Sequence, residues 1–182
     1  MLLSHNQLLA LIKEGVIEQA RPSAVNAASI DIHLGGKILV EEEPPETMPY
    51  STIDYAKRQR PYMVEYEMDD DGYILQPGEF ILAQSAEVFN LPEDISAEYK
   101  LKSSMARIGL EHMNAGWCDA GWHGSVLTLE FKNMLQYHAI LIRPGDAIGQ
   151  MIFFYHEPVP KSASYATRGR YNNDKSVSTI RE

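Results

Sequence analysis

Short apolar segments with period-two alternation, separated by Pro-Gly and Gly turns, constrain the fold of this chain more than any other feature. Residues 29–34 alternate apolar and polar side chains before Gly35-Gly36, which predicts a half-buried strand that stops at the glycines. Similar segments occupy residues 73–75, 80–83, 127–131, 139–142 and 148–154. Turns such as Gln76-Pro77-Gly78 between such short strands indicate a sandwich or barrel rather than alternating β and α units.

One segment near the N-terminus has helical spacing instead. Ser4 and Gln7 form a capping-box pattern, apolar residues follow at helical intervals, and Gly15 suits the end of a helix. Two acidic segments, residues 41–46 and 69–72, contain Pro or Gly and are expected to be solvated loops, with cation binding as the alternative. We therefore predict a mainly β domain with one short N-terminal helix.

Composition excludes several classes of function. The 182 residues carry a formal net charge of −9, which disfavours non-specific binding to nucleic acid or anionic membrane. Cys118 is the only cysteine, so an internal disulfide and a thiolate-rich zinc site are excluded, and a reducing cytoplasm is the expected location. No apolar run approaches the roughly 18 residues of a membrane span, and no signal peptide is expected.

The segment KSSMAR at residues 102–107 concentrates two cations and two hydroxyls. Hydroxyls and free amides at a turn or helix start, together with Lys102 and Arg107, can cradle a phosphate, although an exposed helix start explains the same pattern.

Two carboxylates further along the chain also stand out. Glu130 lies within an apolar strand, where it is either paired with a cation such as Arg107 or used for proton transfer. Asp119, between Trp117 and Gly121, either caps a turn or accepts a hydrogen bond from a ligand hydroxyl.

These features lie in a set of ordered motifs. They are ASIDIHLG at 28–35, KSSMARIGL at 102–110, AGWCDAGW at 115–122, LEF at 129–131, RPG at 143–145 and IGQ at 148–150. In this order and over nearly the whole chain, the set resembles the dCTP deaminases of the dUTPase-like superfamily. The resemblance implies one domain over residues 1–182 with a distorted β-barrel or jelly roll, and a homotrimer with active sites between subunits.

The resemblance also implies an activity and roles for individual residues. The activity is zinc-free hydrolytic deamination of dCTP to dUTP, with Mg²⁺ accompanying the triphosphate and dTTP as a candidate inhibitor. Glu130 would move the protons, with Ser103 and the backbone of Ala115 positioning the water and Arg107 beside Glu130. The residues expected to bind the nucleotide are Lys102, Ser104, Asp119, Gln150, Tyr165 and Arg170.

The absence of zinc has independent support in the residue types. Zinc-dependent nucleobase deaminases need an H-x-E segment and a later P-C-x-x-C, and a chain with one cysteine and no H-x-E lacks both. His112, Cys118 and His123 are the remaining candidates for a metal cluster, and we regard them as the weaker interpretation.

The chain departs from the family pattern at three places. Leu101 replaces a customary Gly, Asp174 brings negative charge to a tail expected to meet phosphates, and the segment from Asp119 to Glu130 is one residue longer than usual. A β-bulge could absorb the extra residue and keep Glu130 directed inward. Residues 161–182 are predicted to be a mobile tail or a lid that orders over the ligand, because Arg168, Arg170 and Lys175 concentrate positive charge there.

The motif AGWCDAGW is nearer to that of bifunctional deaminase–dUTPases, which release dUMP and pyrophosphate, than to that of dUTP-releasing enzymes. Deamination to dUTP is the main prediction, and coupled diphosphate cleavage with Asp119 orienting a second water is the alternative. A plain dUTPase, a modified-cytosine substrate and a catalytically silent regulatory protein also remain open.

Overall fold

The computed structural model describes residues 1–181 and has a mainly β fold built around one large curled sheet. The α-helices are α1 (His5–Lys13), α2 (Ser103–Arg107) and α3 (Tyr165–Arg168). The strands are β1 (Ile17–Glu18), β2 (Ile30–Glu41), β3 (Met63–Glu67), β4 (Tyr73–Leu75), β5 (Phe80–Asn90), β6 (Ile95–Leu101), β7 (Leu110–Glu111), β8 (Trp117–Cys118), β9 (His123–Asn133), β10 (Ile140–Ile142) and β11 (Ala147–Tyr155). Two 3₁₀ turns occupy Pro22–Ala24 and Tyr55–Lys57.

The large sheet has the strand order β7-β9-β5-β2-β11-β6-β8, with β1 added beside β5 and β3 beside β2. A separate two-stranded sheet pairs β10 with β4, and every strand pairing is antiparallel. Antiparallel pairing with alternating burial is what the period-two segments predict. The sheet curls into about half a barrel, so the predicted fold class is confirmed.

The prediction that the first long strand stops at Gly35-Gly36 is wrong. β2 continues to Glu41: it pairs with β11 up to His33, with β5 at Leu34 and again from Ile38, and with β3 from Lys37. The register with β5 shifts between Leu34 and Ile38, and a Cβ on Gly35 would lie 2.9 Å from the Gln84 side chain. The glycines therefore bend the strand and permit close approach, and this bend carries β2 from one half of the sheet to the other.

The N-terminal helix is confirmed. The backbone amide of Ser4 donates to Oε1 of Gln7 at 3.1 Å, and Gly15, with φ of +77°, follows the helix in the left-handed conformation that glycine tolerates. Leu8 and Leu11 of α1 are buried in the main core, which fixes the helix against the sheet. Among residues 1–181, no helix has both the length and the apolarity needed to cross a bilayer.

β9 contains a β-bulge, which can absorb the extra residue between Asp119 and Glu130. Phe89 pairs with Ser125 and Asn90 pairs with His123, so Gly124 is one additional residue on β9. Its φ of +65° suits glycine, and a Cβ there would lie 2.5 Å from Oδ1 of Asn173. Beyond the bulge the regular alternation resumes: Leu129 and Phe131 are fully buried, and Glu130 lies on the other face of the strand.

Candidate active site

A cavity of about 400 Å³ lies between β9, the segment 115–122 and the C-terminal segment. This volume falls within the range of roughly 300–1,000 Å³ that is typical of small-molecule sites. Four residues that the sequence nominated are among its lining: Ala115, Asp119, Glu130 and Tyr165. The lining also includes Trp117, Trp122, Tyr171, Asp174 and Ser178.

Glu130 is a largely buried carboxyl group that lines this cavity. Its side chain is only 27% exposed, and Oε2 is buried without a hydrogen-bond partner among residues 1–181. Burial disfavours the charged form and raises the pKa of Glu130 to about 7. A carboxyl group with that pKa can both accept and release a proton near neutral pH, which is the property that general acid–base chemistry needs.

His112 is the residue that faces Glu130 within the chain. Its ring is 4% exposed, and Nε2 lies 3.4 Å from Oε2 of Glu130. The ring packs between Tyr99 and Phe131, with centroid distances of 4.5 Å and 5.6 Å. Burial lowers the pKa of His112 to about 4, so the imidazole is neutral at pH 7. The sequence nominated His112 only as a weak candidate for a metal ligand. No local pattern relates it to Glu130, because Glu130 lies on β9, which begins more than ten residues after His112.

Asp119 closes a turn, which is one of the two roles that the sequence left open, and its contact with a ligand hydroxyl stays a prediction. Its backbone carbonyl accepts a 3.2 Å hydrogen bond from the amide of Trp122 and closes a turn. Its carboxylate lines the cavity, and Oδ1 accepts a 2.8 Å hydrogen bond from the indole nitrogen of Trp117. Trp117 was not nominated as a site residue, although its position two residues before Asp119 allows this contact.

The C-terminal segment forms one wall of the cavity. The carbonyl of Tyr171 accepts from the Trp122 indole at 3.0 Å and from Oγ of Ser125 at 2.7 Å. Further along, Val177 is buried against Leu39 and Leu82, and its amide donates to Oε1 of Gln84 at 2.9 Å. These contacts hold the segment against β5 and β9, and its movement as a lid stays a prediction.

Asp174 was expected to repel phosphate groups. Its side chain is buried, with the residue 8% exposed, and it forms an ion pair. Oδ1 lies 2.7 Å from Nη2 of Arg181, and Oδ2 accepts from Oγ of Ser178 at 2.7 Å. The backbone carbonyl of Asp174 also accepts from the amide of Val126 at 2.9 Å. The negative charge at this wall of the cavity is therefore partly neutralised by the chain's own Arg181.

The segment with two cations and two hydroxyls lies outside the cavity. Lys102 precedes α2, and its Nζ forms an ion pair with Oδ2 of Asp31 at 2.6 Å. Ser103 and Ser104 are exposed in the first turn of α2, and Arg107 at its end lines a shallow hollow with Ile108 and Leu135. Within residues 1–181, Glu130 faces His112 and not Arg107, so contact between Arg107 and Glu130 stays a prediction for a neighbouring subunit.

Gln150 and Arg170 also lie outside the residues that line the cavity. Gln150 is on β11, and its Oε1 accepts from Oγ of Ser29 at 3.1 Å. Arg170 follows α3, and its backbone carbonyl accepts from Nη1 of Arg181 at 3.0 Å. Contacts of these two side chains with a nucleotide remain predictions.

Comparison with protein families tests the family membership that the sequence motifs indicated. Residues 2–156 match the model of the family described as dCTP deaminase-like. The chain belongs to the dCTP deaminase-like family. The matched range contains the cavity residues Ala115, Asp119 and Glu130 as well as α2, whereas Tyr165 and the rest of the C-terminal wall follow it.

Relatives named "dCTP deaminase, dUMP-forming" match the chain over most of its length. The protein of Persephonella marina is 32% identical over all of this chain and 97% of its own, and that of Methanosphaerula palustris is 34% identical over all of this chain and 95% of its own. A relative from a Nocardioides species is 40% identical over 85% of this chain and 80% of its own. These relatives confirm the prediction of a hydrolytic enzyme of this family.

One solved structure is similar at the level of the fold and sequence. It is the 2′-deoxycytidine 5′-triphosphate deaminase from Agrobacterium tumefaciens, with a TM-score of 0.63 and 25% identity. The match covers 84% of this chain and 47% of that one, so this chain corresponds to about half of the solved chain.

The side chains of this dCTP deaminase-like chain do not assemble a protein metal cluster in the region described. No group of three or more His, Cys, Asp or Glu residues within positions 1–181 is arranged to hold a metal ion. Cys118 is buried, and burial raises the pKa of its thiol to about 12, so the group is protonated at neutral pH.

Proposed function

We propose that the chain is a dCTP deaminase that also cleaves the dUTP it forms, releasing dUMP and pyrophosphate for pyrimidine deoxynucleotide supply. The observation that carries the proposal is the buried Glu130, with a pKa of about 7, in the same cavity as the carboxylate of Asp119. The relatives named for dUMP formation and the motif AGWCDAGW favour coupled cleavage over release of dUTP.

Deamination requires one group that first accepts and then donates a proton. Ionised Glu130 takes a proton from water, and the hydroxide forms a bond to C4 of cytosine while the proton passes to N3. Glu130 then takes the remaining proton from the new C4 hydroxyl and donates it to the amino group, the C4–N bond breaks, and ammonia leaves as the C4 carbonyl forms. The sum is dCTP plus water giving dUTP plus ammonia, and Glu130 ends in its starting state.

The second reaction needs a water molecule directed at the α-phosphate of dUTP. Asp119 is the candidate to orient it, because its side chain lines the cavity and the hydrogen bond from Trp117 holds Oδ1 in place. Attack by that water breaks the bond between the α- and β-phosphates and gives dUMP and pyrophosphate. Mg²⁺ accompanying the triphosphate would offset its charge, and the carboxylate of Asp119 would be the oxygen ligand that this cavity offers to it.

The nucleotide site is completed by a neighbouring subunit of a homotrimer in this proposal. Lys102, Ser103, Ser104 and Arg107 are grouped on the surface of one chain and outside its cavity, as donors for a neighbour's site would be. The surface around them is apolar: Ile108 is 48% exposed and Met134, whose amide bonds to Gly109, is 60% exposed. Burial of that surface in a subunit contact would bring the cations to the triphosphate.

Other parts of the proposal follow from the same arrangement. Tyr165 would cover the deoxyribose, the C-terminal segment would act as a lid, and dTTP would compete for the same cavity. The proposed location is the cytoplasm, where dCTP is available.

The test is incubation of the purified protein with dCTP and Mg²⁺, followed by separation of nucleotides and assay of ammonia and pyrophosphate. We expect dUMP, ammonia and pyrophosphate in equal amounts. Accumulation of dUTP with ammonia would identify a deaminase without the second step, and turnover of dUTP with no action on dCTP would identify a plain dUTPase. Binding of dCTP without any turnover would identify a silent regulatory protein.

A further inference from the structure

Two buried polar atoms face each other beneath the cavity. Nε2 of His112 and Oε2 of Glu130 lie 3.4 Å apart, and each is without a hydrogen-bond partner among residues 1–181. A buried polar atom left without a partner is destabilising, so two such atoms within reach of one another are expected to pair after a small side-chain rotation. Each is therefore the natural partner of the other.

The two oxygens of Glu130 lie in different surroundings. Oε2 is inaccessible and directed at His112, whereas the accessible part of the side chain lines the cavity. The neutral imidazole can donate from Nε2 when its other nitrogen is unprotonated. A donor fixed at Oε2 would keep the exchangeable proton of Glu130 on the oxygen that faces the ligand.

Resting on the proposed deaminase function, we propose that His112 is a positioning residue: its Nε2–H donates to Oε2 of Glu130 and directs the other carboxyl oxygen, which carries the proton, into the cavity. His112 is not among the residues that line the cavity, so it acts through Glu130 and not on the nucleotide.

No other titratable group among residues 1–181 donates a hydrogen bond to Oε2 of Glu130. Tyr99 of β6 packs on the His112 ring, and its hydroxyl is buried without a partner among residues 1–181. Burial and the nearby charges of Glu130 and Glu87 raise the pKa of Tyr99, so it stays protonated throughout the neutral range. On the cavity side the charged neighbours are Asp119 and Asp174, which are acceptors.

The experiment compares His112→Phe with His112→Gln, which keeps an N–H donor, and with Tyr99→Phe as the matched control in the same ring stack. The pKa of Glu130 is measured in the nucleotide-free protein by ¹³C NMR of labelled glutamate carboxyls, assigned with Glu130→Gln. Ammonia release from dCTP is measured across pH in parallel. Thermal denaturation identifies the variants that are folded.

We expect His112→Phe to raise the pKa of Glu130 by about one unit, because the carboxylate loses a donor. The rate of ammonia release at pH 7 should fall about fivefold with KM within about twofold of wild type, because fewer molecules hold Glu130 ionised. His112→Gln should restore most of both values, and Tyr99→Phe should leave the pKa of Glu130 unchanged.

An unchanged or lowered pKa of Glu130 in folded His112→Phe would overturn the proposal. Should His112→Phe not fold, His112→Leu replaces it: a pKa of Glu130 raised by about one unit in folded His112→Leu supports the donor role, and an unchanged pKa refutes it. The NMR titration needs no turnover. Absence of ammonia release by the wild-type protein would thus refute the proposed function while the titration still decides the role of His112.

Discussion

The indole nitrogen of Trp117 donates a 2.8 Å hydrogen bond to Oδ1 of Asp119 at the edge of the cavity. Trp117 is 59% exposed, yet its ring is stacked on Phe154 with a centroid distance of 6.1 Å. An exposed tryptophan that is held on one side by an aromatic ring and on the other by a carboxylate fixes the direction of that carboxylate. Its function in the proposed chemistry is to orient Asp119.

Trp117→Phe should therefore separate the two proposed reactions. The variant keeps the aromatic stack but loses the donor to Asp119, and we expect dUMP formation from dUTP to fall about fivefold while ammonia release from dCTP changes by less than twofold. Asp119→Asn is the comparison, and its loss of diphosphate cleavage should again exceed its loss of deamination. Equal losses of both activities in Asp119→Asn would instead indicate that Asp119 only binds the nucleotide.

Glu130 should make the stability of the protein depend on pH. Its pKa is raised from an ordinary value of 4.5 to about 7, so the folded state binds more protons than the unfolded state between these pH values. The stability that Glu130 contributes is therefore greatest below pH 4.5 and is lost as pH rises through 7.

Glu130→Gln lacks this titration. Relative to wild type, its free energy of unfolding should increase by on the order of 2 kcal/mol between pH 5 and pH 8. Urea denaturation at the two pH values measures the change. The opposite titration of His112, whose pKa is lowered to about 4, is present in both proteins and largely cancels. A difference between the proteins that does not vary with pH would show that Glu130 ionises normally.

The ion pair between Asp174 and Arg181 should control how the cavity accepts a triphosphate. Arg181→Ala leaves the buried charge of Asp174 uncompensated, and we expect the Kd of dCTP to rise about fivefold or more. Adding Asp174→Ala should recover most of the loss, since the repelling charge is then gone. Isothermal titration of dCTP into both single variants and the double variant measures the coupling between Asp174 and Arg181 in nucleotide binding. Additive effects on the Kd would mean that the pair does not act on the ligand.

Local sequence patterns predicted the elements that local interactions determine. Ser4 and Gln7 lie one helical turn apart and identify the start of α1, and alternation identified the centres of β2, β5, β9 and β11. The prediction that β2 ends at Gly35-Gly36 was wrong because the same glycine pair can either end a strand or bend one that continues. What distinguishes them is the partner strands on either side, which are distant along the chain.

The candidate site could be predicted only in part for the same reason. Glu130 stood out as a charge in an apolar strand, but its partner His112 is defined by the pairing of β7 with β9 and by the packing of Tyr99 from β6. Val177 looked like part of a sparse polar tail, and only the curled sheet provides the apolar position between Leu39 and Leu82 that buries it.

The most direct test of the account is single-turnover ammonia release from dCTP by Glu130→Gln at pH 7, with dCTP binding measured on the same preparation. We predict that ammonia release falls at least about a thousandfold, because glutamine cannot accept a proton from water, while the Kd of dCTP stays within about threefold of wild type. Ammonia release at more than a tenth of the wild-type rate would contradict the claim that Glu130 carries the protons.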